Sequence, residues 1–337
     1  MRAREQILGR LLREVARSFY LTLRVLPRRI RPQIGLAYLL ARTTDTVADT
    51  ELVPVAQRLA TLQKLGERIQ GEATQPLNFG ELARHQGAAA ERVLLERCEN
   101  SLGLLQTLSP GDLRLVREVL KIIIDGQALD LRRFEGASVE HIKTLATATD
   151  LDDYTYRVAG CVGEFWTKIC RAHLFPRADL DEDRLLVDGV RFGKGLQLIN
   201  ILRDLPVDLR QGRCYLPAEG LAACGLQAAD LLDSANDLRM RPLYNSWLEQ
   251  AEAHVAAGWS YTNTLPWGCV RVRLACAWPL LIGQETLALL RTKNVLDPQH
   301  RLKVPRRRVR QLMVRSILYY PMPWAWRRLP GQAGGTS

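Results

Sequence analysis

No Cys-x-x-Cys pair occurs in the 337-residue sequence, and its seven cysteines (Cys98, Cys161, Cys170, Cys214, Cys224, Cys269 and Cys276) are an odd set, which excludes a disulfide scaffold. No Sec-type apolar segment follows the opening Met1, Arg2, Arg4 and Glu5, so reduced thiols and a cytoplasmic location are expected. The longest strongly apolar stretches, such as Gly35 to Ala41, fall far short of the roughly 18 residues of a spanning helix. Histidine is scarce, and His85, His141, His173, His254 and His300 show no ligand spacing, which argues against zinc. Acid is in short supply too. The 36 Asp and Glu against 47 Lys and Arg leave a net charge of +11, which favours phosphorylated substrates, an anionic membrane surface or nucleic acid. The basic residues follow no recognised DNA- or RNA-binding module, so nucleic acid is not expected as a partner. A composition of 47% apolar and 25% charged residues is that of an ordinary folded chain with a sizeable core.

Apolar residues recur at three- and four-residue spacing with almost no alternation, which predicts helices throughout. Leu8, Leu11, Leu12, Val15 and Phe19 form one stripe that ends at Leu26-Pro27. A second helix starts near Arg31-Pro32, with proline in its first turn, and runs through Asp45 to Asp49. Further helices are expected over about 54–70, 88–108, 110–134, 150–172, 180–206, 235–263, 268–294 and 304–319. The turns between them are short and no fixed-period repeat indicates a solenoid, so a single all-α domain, a closed helical bundle, is expected.

Two segments repeat one acidic spacing, Asp45-Thr46-Val47-Ala48-Asp49 and Asp204-Leu205-Pro206-Val207-Asp208, each with an arginine just before it, Arg42 and Arg203. Residues i and i+4 share a helix face, so each pair can turn two carboxylates to one point. Such a point suits Mg²⁺, a hard cation commonly held by one or two carboxylates together with substrate phosphates. A single pair is more often a solvated helix face. Two pairs, each ending a largely apolar helix, point to acids lining a cavity mouth. Gln197, Asn200 and Asp204 add a polar stripe to the second helix, readable as a ligand-facing line or as an interhelical hydrogen-bond network.

Four ordered motifs carry a resemblance that extends from Arg17 to Lys303. They are Ala16-Arg17-Ser18-Phe19, the first aspartate motif, Tyr154-x-Tyr156-x-Val158-Ala159-Gly160-x-Val162-Gly163, and Gln197-x-x-Asn200-Ile201-Leu202-Arg203-Asp204-x-x-x-Asp208-x-x-x-Gly212-Arg213-x-Tyr215-Leu216-Pro217. With these the chain resembles the squalene/phytoene synthases, head-to-head prenyltransferases of the all-α isoprenoid synthase fold. Asp45-Thr46-Val47-x-Asp49 is similar to the squalene synthases, whereas Arg213-x-Tyr215-Leu216-Pro217 is similar to the phytoene and dehydrosqualene synthases. Squalene synthases carry a glutamate before the last aspartate of each motif, where this chain has Ala48 and Val207. In their basic loop, near Leu302-Lys303-Val304-Pro305-Arg306, Lys303 matches while Pro305 replaces an arginine that Arg306 could supply.

The resemblance implies an isoprenoid synthase domain over 1–303 with a central apolar cavity, then a basic, aromatic segment over 304–337. It implies a monomer binding two farnesyl diphosphates, with Mg²⁺ at Asp45, Asp49, Asp204 and Asp208. These would condense through presqualene diphosphate to squalene, with NADPH-dependent reduction. Arg17, Arg42, Arg203 and Arg213 would neutralise phosphate oxygens. Ser18, Phe19, Val158, Gly160, Gln197 and Asn200 would bind substrate, the Phe19 ring steadying the carbocation. Tyr154 would stabilise the cation and assist proton removal, with released diphosphate as base, and Lys303 and Arg306 would contact NADPH. Gly160 and Gly163 would open room for a prenyl chain or permit a close helix contact. Gly193-Lys194-Gly195 is no dinucleotide fingerprint, having neither a third glycine nor a strand before it. A synthase that stops at presqualene diphosphate, one that releases dehydrosqualene or phytoene, and a catalytically inactive scaffold of the same fold stay open.

After Asp297 no acidic residue occurs, while Arg301, Lys303, Arg306, Arg307, Arg308, Arg310, Arg315, Arg327 and Arg328 interleave with Leu312, Met313, Ile317, Leu318, Tyr319, Tyr320, Trp324 and Trp326. This pattern suits peripheral contact with an anionic membrane, at its inner face for a cytoplasmic protein. It equally suits a final bundle helix with Met313, Ile317 and Leu318 turned inward.

Overall fold

The computed structural model describes residues 6–16, 20–297 and 302–332, and nearly all the regular structure there is helical. The chain gathers into two compact units, one of Met1–Glu135 with Phe165–Arg177 and one of Gly136–Glu164 with Ala178–Ser337. The boundary expected at 303/304 falls inside the second unit.

In the first unit a π turn at Gln6–Leu11 leads into α1 (Leu12–Ala16), α2 (Tyr20–Val25), α3 (Arg31–Ala48), α4 (Val55–Gln70), α5 (Gly80–Arg84), α6 (Ala89–Glu96), α7 (Cys98–Leu105) and α8 (Pro110–Arg133). Pro32 sits in the first turn of α3, where a missing N–H costs no bond. The mutually packed α3, α4 and α8 contribute Leu36, Leu39, Leu40, Leu62, Leu65 and Leu120, all essentially buried. Each such side chain stabilises the fold by about 1.5–3 kcal/mol relative to exposure. Ser109 caps α8 by accepting from the Asp112 N–H at 3.2 Å. The single helix expected over 88–108 is broken at Arg97 into α6 and α7, with no proline or glycine to announce it.

The second unit contains β1 (Lys143–Thr144), α9 (Ala148–Thr155), a π turn at Tyr156–Gly160, the start of α10 (Cys161–Leu174), α11 (Glu182–Arg210), β2 (Arg213–Cys214), α12 (Ala218–Ala223), α13 (Asp237–Thr264), α14 (Val270–Thr292), α15 (Arg306–Tyr319) and α16 (Pro323–Arg327). A capping box starts α9: Thr147 Oγ1 accepts from the Asp150 N–H, and Asp150 Oδ2 accepts from the Thr147 N–H. The helix α11 packs along α13 and against α14. It was expected to end at Pro206 and instead continues to Arg210, because α13 supplies a donor that the proline cannot. A Cβ on Gly163 would lie 1.9 Å from the Gly189 carbonyl oxygen, and one on Gly193 would lie 2.1 Å from that of Ala159. Close helix contact is therefore what Gly163 serves.

The segment after Val304 is built into this unit through α13 and α14. Trp278 Nε1 donates to Ser316 Oγ at 3.0 Å, Arg308 pairs with Glu285 at 2.6 Å, and Trp326 Nε1 donates to Asn263 Oδ1 at 2.8 Å. The buried Arg273 guanidinium lies 4.7 Å from the Trp267 ring and 5.3 Å from that of Trp326, and it donates to the Asn263 and Leu265 carbonyls. These bonds set the rotation of α15. Leu312 and Ser316 face inward, whereas Ile317 and Leu318, inward in only one of the two alternatives read from the sequence, are exposed.

Candidate active site

The first aspartate pair ends α3. Asp45 lies in its last turn and Asp49 is the C-cap, its N–H donating to the Asp45 carbonyl at 2.8 Å, so the two keep helical spacing. Arg42 bridges two acids: Nη1 is 3.8 Å from Asp45 Oδ2 and Nη2 is 2.5 Å from Glu91 Oε1 on α6. From α8 the buried Gln127 donates through Nε2 to Asp45 Oδ1 at 2.5 Å. The Asp45 side chain remains 46% accessible, yet the protein crowded around its carboxyl raises its pKa to about 6. Desolvation is the first cause and the neighbouring Asp49 charge the second; Arg42 and Gln127 pull the other way without prevailing.

The second pair lies on the uninterrupted α11, with Asp204 and Asp208 both half-buried. Arg203 grips Asp204 with a two-pronged pair, Nε to Oδ1 at 2.9 Å and Nη2 to Oδ2 at 2.5 Å. Gln197 and Asn200 precede it on the same helix. The chain then turns at Gly212, whose φ of 77° and close approach to Ser138 (a Cβ would sit 2.3 Å from the Ser138 nitrogen) admit no side chain. That turn sends β2 parallel to β1, with Lys143 opposite Arg213 and Thr144 opposite Cys214. Arg213 is left half-buried and Tyr215 buried. The Tyr215 ring stacks on Tyr154 of α9, centroids 4.6 Å apart and planes 30° apart.

Val158 and Gly160 belong to the π turn, where a Cβ on Gly160 would meet Lys194 Cγ at 3.2 Å. Lys194 Nζ donates to Asp152 at 2.8 Å and lies 5.8 Å from the Tyr156 ring. Beside it His254 of α13 packs on Gly195. Desolvation, then Arg191 and Lys194, lowers the His254 pKa to about 4.

Of the residues singled out in the sequence, Arg42, Asp45 and Asp49 come together in the first unit. Gln197, Asn200, Arg203, Asp204 and Asp208 share α11 in the second, with Arg213 and Tyr154 on neighbouring elements. Lys303 and Arg306 are exposed on the second unit. Arg17, Ser18 and Phe19 lie outside the described residues. Sequence reasoning missed Gln127, Glu91 and Tyr244, and it quoted Tyr215 in a motif without giving it the stacking role on Tyr154. The available signal for Gln127 was a lone amide among buried residues of α8 such as Ile123, Ile124, Gly126 and Leu131.

Among the described residues no cluster of three or more His, Cys, Asp or Glu is arranged to hold a metal by itself. Each pair offers hard carboxylate oxygens, and Gln127 Oε1 adds a buried amide oxygen with no hydrogen-bond partner among the described residues. This donor set and the like-charge crowding at Asp45 fit Mg²⁺ whose remaining ligands are phosphate oxygens.

The family model described as squalene/phytoene synthase matches residues 12–308. A presqualene diphosphate synthase of Rhodopseudomonas palustris is 31% identical over 273 residues, 81% of this chain and 82% of that protein. A 15-cis-phytoene synthase of Synechocystis is 27% identical over 320 residues, 92% of this chain and 81% of that protein. Among solved structures, a dehydrosqualene synthase superposes with a TM-score of 0.68 at 22% identity, covering 95% of this chain and 98% of that one. A squalene synthase from Alicyclobacillus acidocaldarius gives 0.63 at 23% identity, covering 87% and 95%. Helices, motifs and matches converge: the chain belongs to the squalene/phytoene synthase family, prenyltransferases that condense prenyl units head to head.

Proposed function

We propose that this enzyme condenses two farnesyl diphosphates to presqualene diphosphate. The observation that carries the reading is the pair of i,i+4 aspartate motifs, each with an arginine of its own helix against it: Arg42 at Asp45 and Arg203 at Asp204. The name of the Rhodopseudomonas relative supports the product, as do Ala48 and Val207 where squalene synthases carry glutamates.

When bound, Mg²⁺ supplies the charge that makes diphosphate a leaving group. The chain's own part is to hold that diphosphate. Arg42 in the first unit, and Arg203 and Arg213 in the second, each neutralise diphosphate oxygens at their own aspartate pair, and the forks of Arg42 and Arg203 are already oriented by carboxylates. Tyr154, held flat against Tyr215, presents a phenol to the allylic cation. A phenol is a poor base near neutrality, so the proton leaves to released diphosphate while the Tyr154 hydroxyl orients it.

Onward reduction to squalene is the second reading, favoured by Asp45-Thr46-Val47-x-Asp49 and Lys303. Two exposed cations, Lys303 and Arg306, suit a phosphate but have no group that recognises a nicotinamide. Incubation with farnesyl diphosphate and Mg²⁺, with and without NADPH, separates the readings. Presqualene diphosphate in both arms supports the first, squalene only with NADPH supports the second, and no thirty-carbon product refutes both.

A further inference from the structure

The outer side of α15 is a built surface that the condensation does not use. At 100° per residue Arg307, Arg310, Val314, Ile317 and Leu318 fall on one side of the helix, opposite Leu312 and Ser316. All five are exposed, Val314 at 56%, Ile317 at 49% and Leu318 at 63%. Trp324 of α16 adds an indole that is 62% exposed. Arg306, Arg307 and Arg310 have no ion-pair partner among the described residues, and Arg328 lies 5.5 Å from the Trp324 ring.

The packing of its other side turns this side outward. Its inner counterpart is fastened by Trp278 to Ser316, Arg308 to Glu285, and the aromatic box around Arg273. A surface that combines unpaired arginines, aliphatic side chains and an exposed indole on one fixed helix is an unusual arrangement for water alone.

We propose that the outer side of α15, together with Trp324, docks onto an anionic lipid bilayer. Charge complementarity selects this occupant. The sequence has no acidic residue after Asp297, so every formal charge on this side is positive. A second copy of the chain would bring the same arginines against themselves. A nucleic acid would satisfy the arginines but leave Val314, Ile317, Leu318 and Trp324 in water. A bilayer surface satisfies both: phosphates take the guanidinium groups, aliphatic side chains enter the acyl boundary, and indole sits at headgroup level. No helix among the described residues is long and apolar enough to cross a membrane; the proposed contact is made by the outer side of α15.

The test is co-sedimentation of the full chain with phosphatidylglycerol-containing vesicles and with pure phosphatidylcholine vesicles. It compares wild type with Arg306→Glu/Arg307→Glu/Arg310→Glu, the same three arginines changed to lysine, and Val314→Ser/Leu318→Ser/Trp324→Ser. All the changed side chains are exposed, and melting temperature reports whether each variant remains folded. Each cation near an anionic surface contributes roughly fivefold in partitioning, so the glutamate variant should bind phosphatidylglycerol vesicles more than about 100-fold more weakly. The lysine variant should retain most binding, the serine variant should lose at least about tenfold at unchanged charge, and wild-type binding should fall as salt rises. Equal binding of folded wild type and glutamate variant would overturn the proposal, as would equal binding to both vesicle types. It would also be overturned by a sedimentation change showing that the serine variant disrupts a dimer, or by displacement from vesicles by a DNA duplex with unchanged binding of the serine variant.

Discussion

The Tyr244 hydroxyl donates to the Leu202 carbonyl at 2.9 Å, and both side chains are fully buried. Leu202 stands four residues before Pro206, whose ring nitrogen has no hydrogen to return to it. One helix thus completes the hydrogen bonding of another, and Asp204 and Asp208 stay on one continuous face. Burial pushes the Tyr244 phenol well above its ordinary pKa, which keeps it protonated as a donor.

Replacing Tyr244 with Phe should therefore destabilise the fold by about 1–3 kcal/mol, the cost of an unpaired buried carbonyl. In a Pro206→Ala background the cost should shrink, because the backbone N–H restored by that substitution can reach the Leu202 carbonyl. A double-mutant cycle read by denaturant unfolding checks this. Equal costs in both backgrounds would show that Tyr244 does not substitute for the missing N–H.

Gln127 holds Asp45 through a single amide hydrogen bond. Gln127→Leu keeps the bulk and removes that bond, so Mg²⁺ affinity measured by titration of the half-maximal rate should drop about 10–100-fold. Thermal stability should change far less. An unchanged Mg²⁺ dependence would remove Gln127 from the account.

The α-helical class and the long helices were legible because apolar spacing of three and four survives from Ile34 through Leu290 with proline and glycine at the turns. The break at Arg97 was not legible, since helical periodicity runs through it. The continuation past Pro206 was hidden for a different reason: its donor, Tyr244, is 42 residues away from the carbonyl it serves. The aspartate pairs could be read from spacing alone, but Gln127, 82 residues from Asp45, could not. The orientation of α15 stayed open in the sequence because Ile317 and Leu318 are more apolar than Ser316, and the deciding contact is a hydrogen bond from Trp278 to Ser316.

His254 should couple stability to pH. Its folded pKa is about 4 against an ordinary 6.5, so between those values the unfolded chain binds more protons than the folded one. Its contribution is complete above pH 6.5 and is lost as pH falls from there toward 4. Substitution by Gln should flatten the melting-temperature profile in that window. A profile parallel to wild type would contradict the assignment.

Tyr154→Phe preserves the ring stacked on Tyr215 and removes only the hydroxyl. Substrate binding should be unchanged while kcat falls, with presqualene diphosphate formation slowed. A wild-type kcat and product distribution would exclude a chemical role for the phenol.

The two aspartate pairs are tested most directly by presqualene diphosphate formation from labelled farnesyl diphosphate and Mg²⁺ in wild type, Asp45→Asn and Asp204→Asn. Each substitution removes one charge at a half-exposed position outside the core, so circular dichroism and melting temperature should stay close to wild type. On the proposed function, in which each pair holds Mg²⁺ and a diphosphate, losing one such charge should cost about 3 kcal/mol or more in the transition state, a rate loss on the order of 100-fold or more in each variant. Near wild-type turnover in either folded variant would contradict a role for the aspartate pairs in holding Mg²⁺ and diphosphate.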